Sequence, residues 1–489
     1  MTYRRSIHVR YDRIKGILEV TTSHHAMSTQ IRLYNTKTRQ LEDFIPEKEG
    51  YVGIYSCGPT VYHYQHLGNM RAAVFADTLR RMFISCGYDV KHVINITDVG
   101  HNVDDNDSGE DKMEKGSRRE GKNVWEIAKM YSDAYFADLT MLGIPLDAYT
   151  FPRATDNIKE QIALIEALEM KGYTYRTTDG IYFDTSKFKA YKDFAHLDVE
   201  GLKSGARVEE NTEKKNITDF ALWKFSPKDE KRQMEWESKW GTGFPGWHIE
   251  CSAMSMKYLG MHFDIHTGGI EHIPVHHTNE IAQSECATGM PYVNYWMHNN
   301  HLLDTTGKMS KSNGEFMTLS KLREENYDPL AYRYFLLTAH YRKELSFSYD
   351  ALDAASVAYH RLVDYALHHR TTSGHVVANY MHQAHTALQN DLATPEVIAT
   401  IWKLMKDEEI LEVDRYMTLI AISDMLGLGL DKVAEQEVVI PEAVQELLEQ
   451  RAQARASKEF VLSDNLRKEI ESHGFTVKDT SNGQEVTKA

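Results

Sequence analysis

Apolar residues come first in short runs and only later settle into long helical spacings. Ile31 to Asn35 and Tyr51 to Tyr55 predict β-strands. From Leu67, apolar positions at Met70, Val74, Leu79, Met82 and Phe83 follow a helical period that Gly87 ends. Val90 to Ile96 reads as a buried strand, so the order is strand, helix, strand, the opening of a parallel α/β fold. Gly100 to Lys122 is polar and glycine-punctuated, which predicts a loop. Helices are expected over Asn123 to Leu142 and Asp156 to Lys171, then short strands and charged loops from Thr174 to about Gly241. Phe263 to His266, followed by Gly268 and Gly269, resumes the strand-to-glycine pattern. From about Ala351 the periodicity is almost wholly helical, with starts at Thr394-Pro395-Glu396 and Pro441-Glu442.

Composition narrows the class. A chain of 489 residues with 42% apolar and 26% charged positions needs several cores, so two to four domains are expected. The net charge of −15 argues against wholesale coating of nucleic acid, but local basic patches suffice for phosphate contacts. The four cysteines (Cys57, Cys86, Cys251 and Cys286) are too few for a disulfide scaffold and fit a reducing compartment. No apolar stretch reaches the roughly 18 residues of a membrane span. The first 26 residues carry Arg4, Arg5, Arg10, Arg13 and Lys15 without an apolar segment after them, unlike a secretory signal.

Two segments carry the chemistry. Cys57-Gly58-Pro59-Thr60-Val61-Tyr62 runs into His66-Leu67-Gly68-Asn69, where a strand hands over to a helix N-terminus that can meet an anion. Lys308-Met309-Ser310-Lys311-Ser312 places two lysines three apart between Gly307 and Gly314, suited to a triphosphate whose charge shifts during reaction. Together they resemble the HIGH and KMSKS motifs of class I aminoacyl-tRNA synthetases. Asn95-Ile96-Thr97-Asp98, Gly246 to Met254 and His276-His277-Thr278-Asn279-Glu280 resemble segments of the cysteinyl enzymes in the same order. The resemblance runs from about Ile31 to Asp479.

By themselves, Cys57 and Cys251 could be inert core residues, while His276 and Glu280 would share one helix face. The resemblance assigns these four as ligands of one zinc that takes the substrate thiolate and rejects serine. It makes His66, Lys308 and Lys311 catalytic, with Gly68, Asn69, Lys308 and Lys311 on ATP. Asn69 stands where the motif's second histidine is usual. Cys57, Thr97, Trp247 and His266 would bind cysteine, with His277 a further pocket candidate. Magnesium would accompany ATP.

The expected fold is α/β. A class I Rossmann-type catalytic domain (28–160 and 242–293) is interrupted by a connective insertion (161–241). A connecting domain with the lysine loop (294–350), a helical bundle (351–430) and a small C-terminal anticodon-binding domain (431–489) follow. Residues 1–27 would be a dispensable N-terminal extension, since Met27 stands where relatives usually start. The acidic cluster of Asp104, Asp105, Asp107, Glu110 and Asp111 reads as a solvated loop because the EF-hand glycine is missing. The basic positions Arg451, Arg455, Lys458, Arg467 and Lys468 are the best candidates for tRNA phosphates. The expected protein is a cytoplasmic, monomeric ligase joining L-cysteine to its tRNA through cysteinyl adenylate, with no membrane partner. Two rivals are a cysteine ligase acting on an amino sugar and a non-catalytic synthetase-like binding protein.

Overall fold

The computed structural model describes residues 30–99, 111–197, 213–227, 232–304, 317–433, 441–480 and 483–488. The N-terminal extension, the acidic residues from Asp104 to Glu110, and both Lys308 and Lys311 lie outside these. The chain forms two compact units that divide between Asp431 and Lys432.

In the larger unit, strands β1 (Arg32–Asn35) and β2 (Gln40–Asp43) make a hairpin. Strand β3 (Tyr51–Ser56), helix α1 (Leu67–Ser85) and strand β4 (Asp89–Ile94) form the first crossover. Helices α2 (Lys112–Glu120), α3 (Val124–Met141) and α4 (Ile158–Met170) follow. Strands β5 (Thr174–Arg176), β6 (Gly180–Phe183), β7 (Phe220–Phe225) and β8 (Gly243–Pro245) form one antiparallel sheet. Helix α5 (Trp247–Leu259) leads to β9 (Phe263–Gly269), α6 (Thr278–Thr288) and β10 (Val293–Asn299). The central sheet has the order β10-β9-β3-β4, and every pairing in it is parallel. All of β9 and nearly all of β3 are buried, as befits strands covered on both faces. The chain leaves β3 toward β4 and leaves β9 toward β10. That reversal opens a crevice at the carboxyl ends of β3 and β9, where ligands of open α/β sheets bind.

Beyond the sheet come β11 (Leu302–Asp304), α7 (Leu319–Glu324), α8 (Pro329–Leu337) and β12 (Leu345–Phe347), and then α9 (Tyr349–His368), α10 (Ala378–Gln389), α11 (Thr394–Lys406) and α12 (Glu412–Leu426). Arg333 on α8 is fully buried. It donates to the Leu142 carbonyl (2.9 Å), the Leu426 carbonyl (2.8 Å) and the Asp77 carboxylate of α1. One guanidinium thus closes the C-terminal ends of α3 and α12 onto α1.

The smaller unit packs α13 (Glu442–Ala456) and α14 (Phe460–Ser472) on a hairpin of β13 (Phe475–Thr480) and β14 (Gly483–Lys488). Val444, Leu448, Ile470, Phe475 and Val477 make its core.

Two expectations need correction. The polar stretch before Lys122 contains a real helix, α2, capped by the Asp111 carboxylate and ended by left-handed Gly121. Only Met113 and Gly116 of it are buried, so no apolar stripe announced it. Asp111 is therefore a cap, paired with Arg232, not part of a solvated loop. Among the basic C-terminal positions Arg451 is withdrawn from the surface, while Lys458 and Lys468 stay exposed. Arg451 is wholly buried, and Arg451, Arg455 and Arg467 converge on Asp479 at 3.0, 2.9 and 3.2 Å.

Asp138 on α3 is 5% exposed, and burial lifts its carboxyl to about 7. The native state therefore holds a proton that the unfolded chain releases near pH 4. Its contribution to stability is complete below pH 4 and is lost as pH rises to about 7. Asp138→Asn should flatten this slope and stabilise the fold at pH 8 by up to about 4 kcal/mol. Urea midpoints measured at pH 5 and pH 8 check this, and an unchanged slope would refute it.

Candidate active site and metal centre

Cys57 is the first residue beyond β3, and its N–H donates to the Thr267 carbonyl of β9 at 3.1 Å. Gly58 follows because a Cβ there would stand 1.7 Å from the Asn95 carbonyl oxygen. Cys251 lies one turn into α5. His276 and His277 sit on a single π-turn, Ile273–His277, which feeds directly into α6 and Glu280. Such turns recur where backbone geometry serves a site. Side-chain donor atoms of Cys57, Cys251, His276 and Glu280 all lie within 4.8 Å of one another, and all but Cys57 are buried.

The chemistry of the four fits a cation. The Cys57 thiol is pushed up by burial and by its hydrogen bond with Cys251. The same hydrogen bond is the main cause that draws Cys251 down to about 7. Burial opposes charge on His276, yet Cys251 and Glu280 raise it to about 10. Burial also penalises the Glu280 carboxylate, which His266 and His276 hold down to about 2. Glu280 Oε1 lies 3.0 Å from His276 Nε2 but has no hydrogen-bond partner. A buried, orphaned carboxylate oxygen facing two thiols and an imidazole is a donor set lacking its acceptor, and it suits zinc.

The surroundings orient these donors. His276 Nδ1 meets His248 Nδ1 at 2.9 Å, a contact that holds the ring with Nε2 toward the cluster. Glu280 Oε2 accepts from His266 Nε2 at 2.9 Å and from the Tyr292 hydroxyl at 3.2 Å. Cys57 Sγ is 3.2 Å from His277 Nε2. His277 Nδ1 is 2.7 Å from His298 Nε2, whose ring in turn meets Thr36 Oγ1 at 2.8 Å. His266, His277, Cys57 and Glu280 form a second grouping, but it shares two members with the first and so belongs to the same centre.

The other expected pocket residues are close by. The Trp247 ring opens α5 and lies 4.5 Å from the His276 ring. Thr97 is buried and donates to the Glu250 carboxylate at 3.1 Å, while accepting from Asn95 at 2.9 Å. His66 is the N-cap of α1. Its Nδ1 accepts from the Asn69 N–H (3.2 Å), and the Asn69 side chain accepts from the His66 N–H (3.1 Å). Asn69 is therefore a capping residue, and Gly68 leaves room beside the imidazole. The Leu67 N–H donates to the Met317 carbonyl, so the chain returns to the N-terminus of α1 just after the lysine segment.

Sequence reasoning missed Glu250, Tyr292, His298 and Arg71. Glu250 and Tyr292 stand in stretches that alone read as core, and no spacing marks His298. Arg71 is buried on α1 and donates to the carbonyls of His301 and Lys343, at the roots of β11 and β12. Its place five residues after His66 was the available signal.

A parallel sheet with a capped helix after its first strand, a cysteine at the strand end and a distant segment returning to the cap defines a class I aminoacyl-tRNA synthetase. Residues 43–357 match the model of tRNA synthetases class I (C) catalytic domain, and residues 438–486 match the cysteinyl-tRNA ligase anticodon binding domain. The chain is 49% identical to cysteine--tRNA ligase 1 of Burkholderia lata, covering 93% of this chain and 96% of that one. It is 40% identical to cysteine--tRNA ligase of Treponema denticola, with 92% and 98% covered. In fold it is similar to Mycobacterium tuberculosis methionyl-tRNA synthetase, with a TM-score of 0.51 at 14% identity over 84% of this chain and 96% of that one. The chain belongs to the cysteine--tRNA ligase family, and its reaction is cysteinyl-tRNA ligation. The matching anticodon-binding domain removes the amino-sugar ligase as an alternative. Among the described residues, no helix is long and apolar enough to cross a membrane.

Proposed function

We propose that the protein selects cysteine at a zinc held by Cys57, Cys251, His276 and Glu280, and activates it with ATP beside His66 and the lysine segment. The observation that supports this is the convergence of two thiols, an imidazole and an orphaned carboxylate oxygen within 4.8 Å. When bound, the zinc supplies a soft Lewis-acid position for the substrate thiolate, which a serine hydroxyl fills poorly. Discrimination of that kind makes a separate editing site unnecessary. His266 and Tyr292 hold Glu280, and His277 holds Cys57, so these ligands are fixed before substrate arrives. Trp247 and Thr97 close around the cysteine and exclude water.

The cysteine carboxylate oxygen attacks the α-phosphorus of ATP, and the bond to pyrophosphate breaks. His66 takes part through Nε2. Its Nδ1 accepts the Asn69 N–H, and burial lowers its pKa, so the neutral ring carries its proton on Nε2 and can donate it to a phosphate oxygen. The positive end of the α1 dipole adds to this field. Lys308 and Lys311 stabilise the departing pyrophosphate, with magnesium accompanying ATP. A terminal ribose hydroxyl of tRNA then attacks the activated carbonyl, and AMP leaves. The enzyme works as a cytoplasmic monomer on ATP, L-cysteine and its cognate tRNA.

Cys251→Ser should lose most of its zinc and bind cysteine more weakly, as read by metal analysis and calorimetry. Retention of both would remove Cys251 from the ligand set. Lys311→Ala should depress ATP–pyrophosphate exchange chiefly through kcat, by about 30- to 1,000-fold, because the charge acts mainly in the transition state. Unchanged exchange would take the lysine segment out of the mechanism. A cut after Asp431, at the division between the two units, should keep exchange and weaken tRNA charging. A cut at Asn390 would instead remove Asp391, which binds the Tyr34 N–H, the Tyr341 hydroxyl and Arg342. Charging by the truncated protein equal to that of the full chain would refute the role of the small unit.

A further inference from the structure

The helix α2 has no part in the reaction as derived above, yet it runs alongside the pocket from end to end. At its start, Lys112 Nζ lies 5.3 Å from the centre of the Trp247 ring. Near its end, Arg119 donates to the Tyr62 carbonyl at 2.8 Å, four residues before His66. Between them, Gly116 lies so close to Tyr62 that a Cβ would stand 3.3 Å from its carbonyl oxygen. Arg119 also covers the Tyr131 ring at 5.7 Å. Tyr64 meets that same ring edge-on at 4.9 Å, and His63 stacks on it.

This assembly presents aromatic and cationic surface together. Tyr64 is 49% exposed, and Lys115 and Arg118 are exposed and three apart on one helix. Of the two acids of the helix, Glu114 binds Gln233, and Glu120 pairs with Arg119 and accepts from the Tyr131 hydroxyl. A cationic helix beside an exposed ring stands out in a chain of net charge −15. We propose that this shelf receives the unpaired 3′ end of the tRNA, with Tyr64 stacking on a base and Lys115 meeting a phosphate.

The occupant follows from the reaction. A ribose hydroxyl must reach a carbonyl held between the cysteine cluster and His66, so single-stranded nucleotides have to pass the peptide that precedes His66. Unpaired bases stack on exposed aromatic rings, while cations follow the phosphates. The inference rests on tRNA charging by this family and not on the metal assignment, so a failed zinc prediction leaves it standing.

The test separates the two half-reactions of the full-length enzyme. Tyr64→Ala should lower kcat/KM for tRNA in charging by roughly 5- to 150-fold, while ATP–pyrophosphate exchange stays within about twofold. Tyr64→Trp should restore charging, as an aromatic ring in a merely structural role of different shape would not. A tRNA with 2-aminopurine as its 3′-terminal base should be quenched by the parent enzyme and not by Tyr64→Ala. Lys115→Gln should reduce the salt slope of tRNA binding by about 1. Unchanged charging in Tyr64→Ala would overturn the proposal. So would an equal fall in both half-reactions, or a rise confined to KM for ATP, which would mean that the ring serves the fold or the adenine of ATP.

Discussion

The parallel pairing of β3 with β9 is the constraint on which the site depends. Ser56 pairs with Thr267, and the Cys57 N–H continues the ladder by one more bond. That register puts the first thiol at the mouth of the crevice, beside the turn that carries His276 and His277. A slip of one residue would turn Cys57 to the opposite face and break up a cluster drawn from the end of β3, α5, the π-turn and α6. Gly58 enforces the same arrangement from the other side, because Asn95 fills the space a side chain would need.

Helix α1 transmits this order to the rest of the large unit. Its N-terminus carries His66 and the Asn69 cap. One turn later, Arg71 holds the roots of β11 and β12, and near the middle Asp77 binds Arg333 and Arg81. These are buried charges satisfied by carbonyls or carboxylates, the condition under which they can be kept in a core. The lysine segment leaves from β11 and returns at Met317 beside His66, so both of its described ends are tied to one helix.

Much of this was legible in the chain. The strand–helix–strand opening, the glycine-ended strand β9 and the helical C-terminal part could be read because their apolar periods are strong and their breaks are glycine or proline. The four cluster residues were assigned by resemblance, since Cys57 and Cys251 are far apart in sequence and only the i, i+4 pair of His276 and Glu280 had a local signature. Helix α2 was missed because its stability comes from Asp111, Gly121 and the contacts with Tyr62 rather than from an apolar stripe. The pairing of Arg451, Arg455 and Arg467 was missed for a related reason. Their partner, Asp479, lies beyond a turn, on a strand that a helical reading of the region had no cause to pair with them.

Asp77 also bears on how the chain can be made. Its second partner, Arg333, follows 256 residues later, so a ribosome exposes α1 long before that guanidinium exists. Arg81, one turn along the same helix, pairs with Asp77 at 2.7 Å and is available at once. The nascent helix can therefore carry its carboxylate with a local counter-charge. The bond from Arg333 to the end of α12 forms only after residue 426 has emerged, which makes completion of the large unit a late event in synthesis.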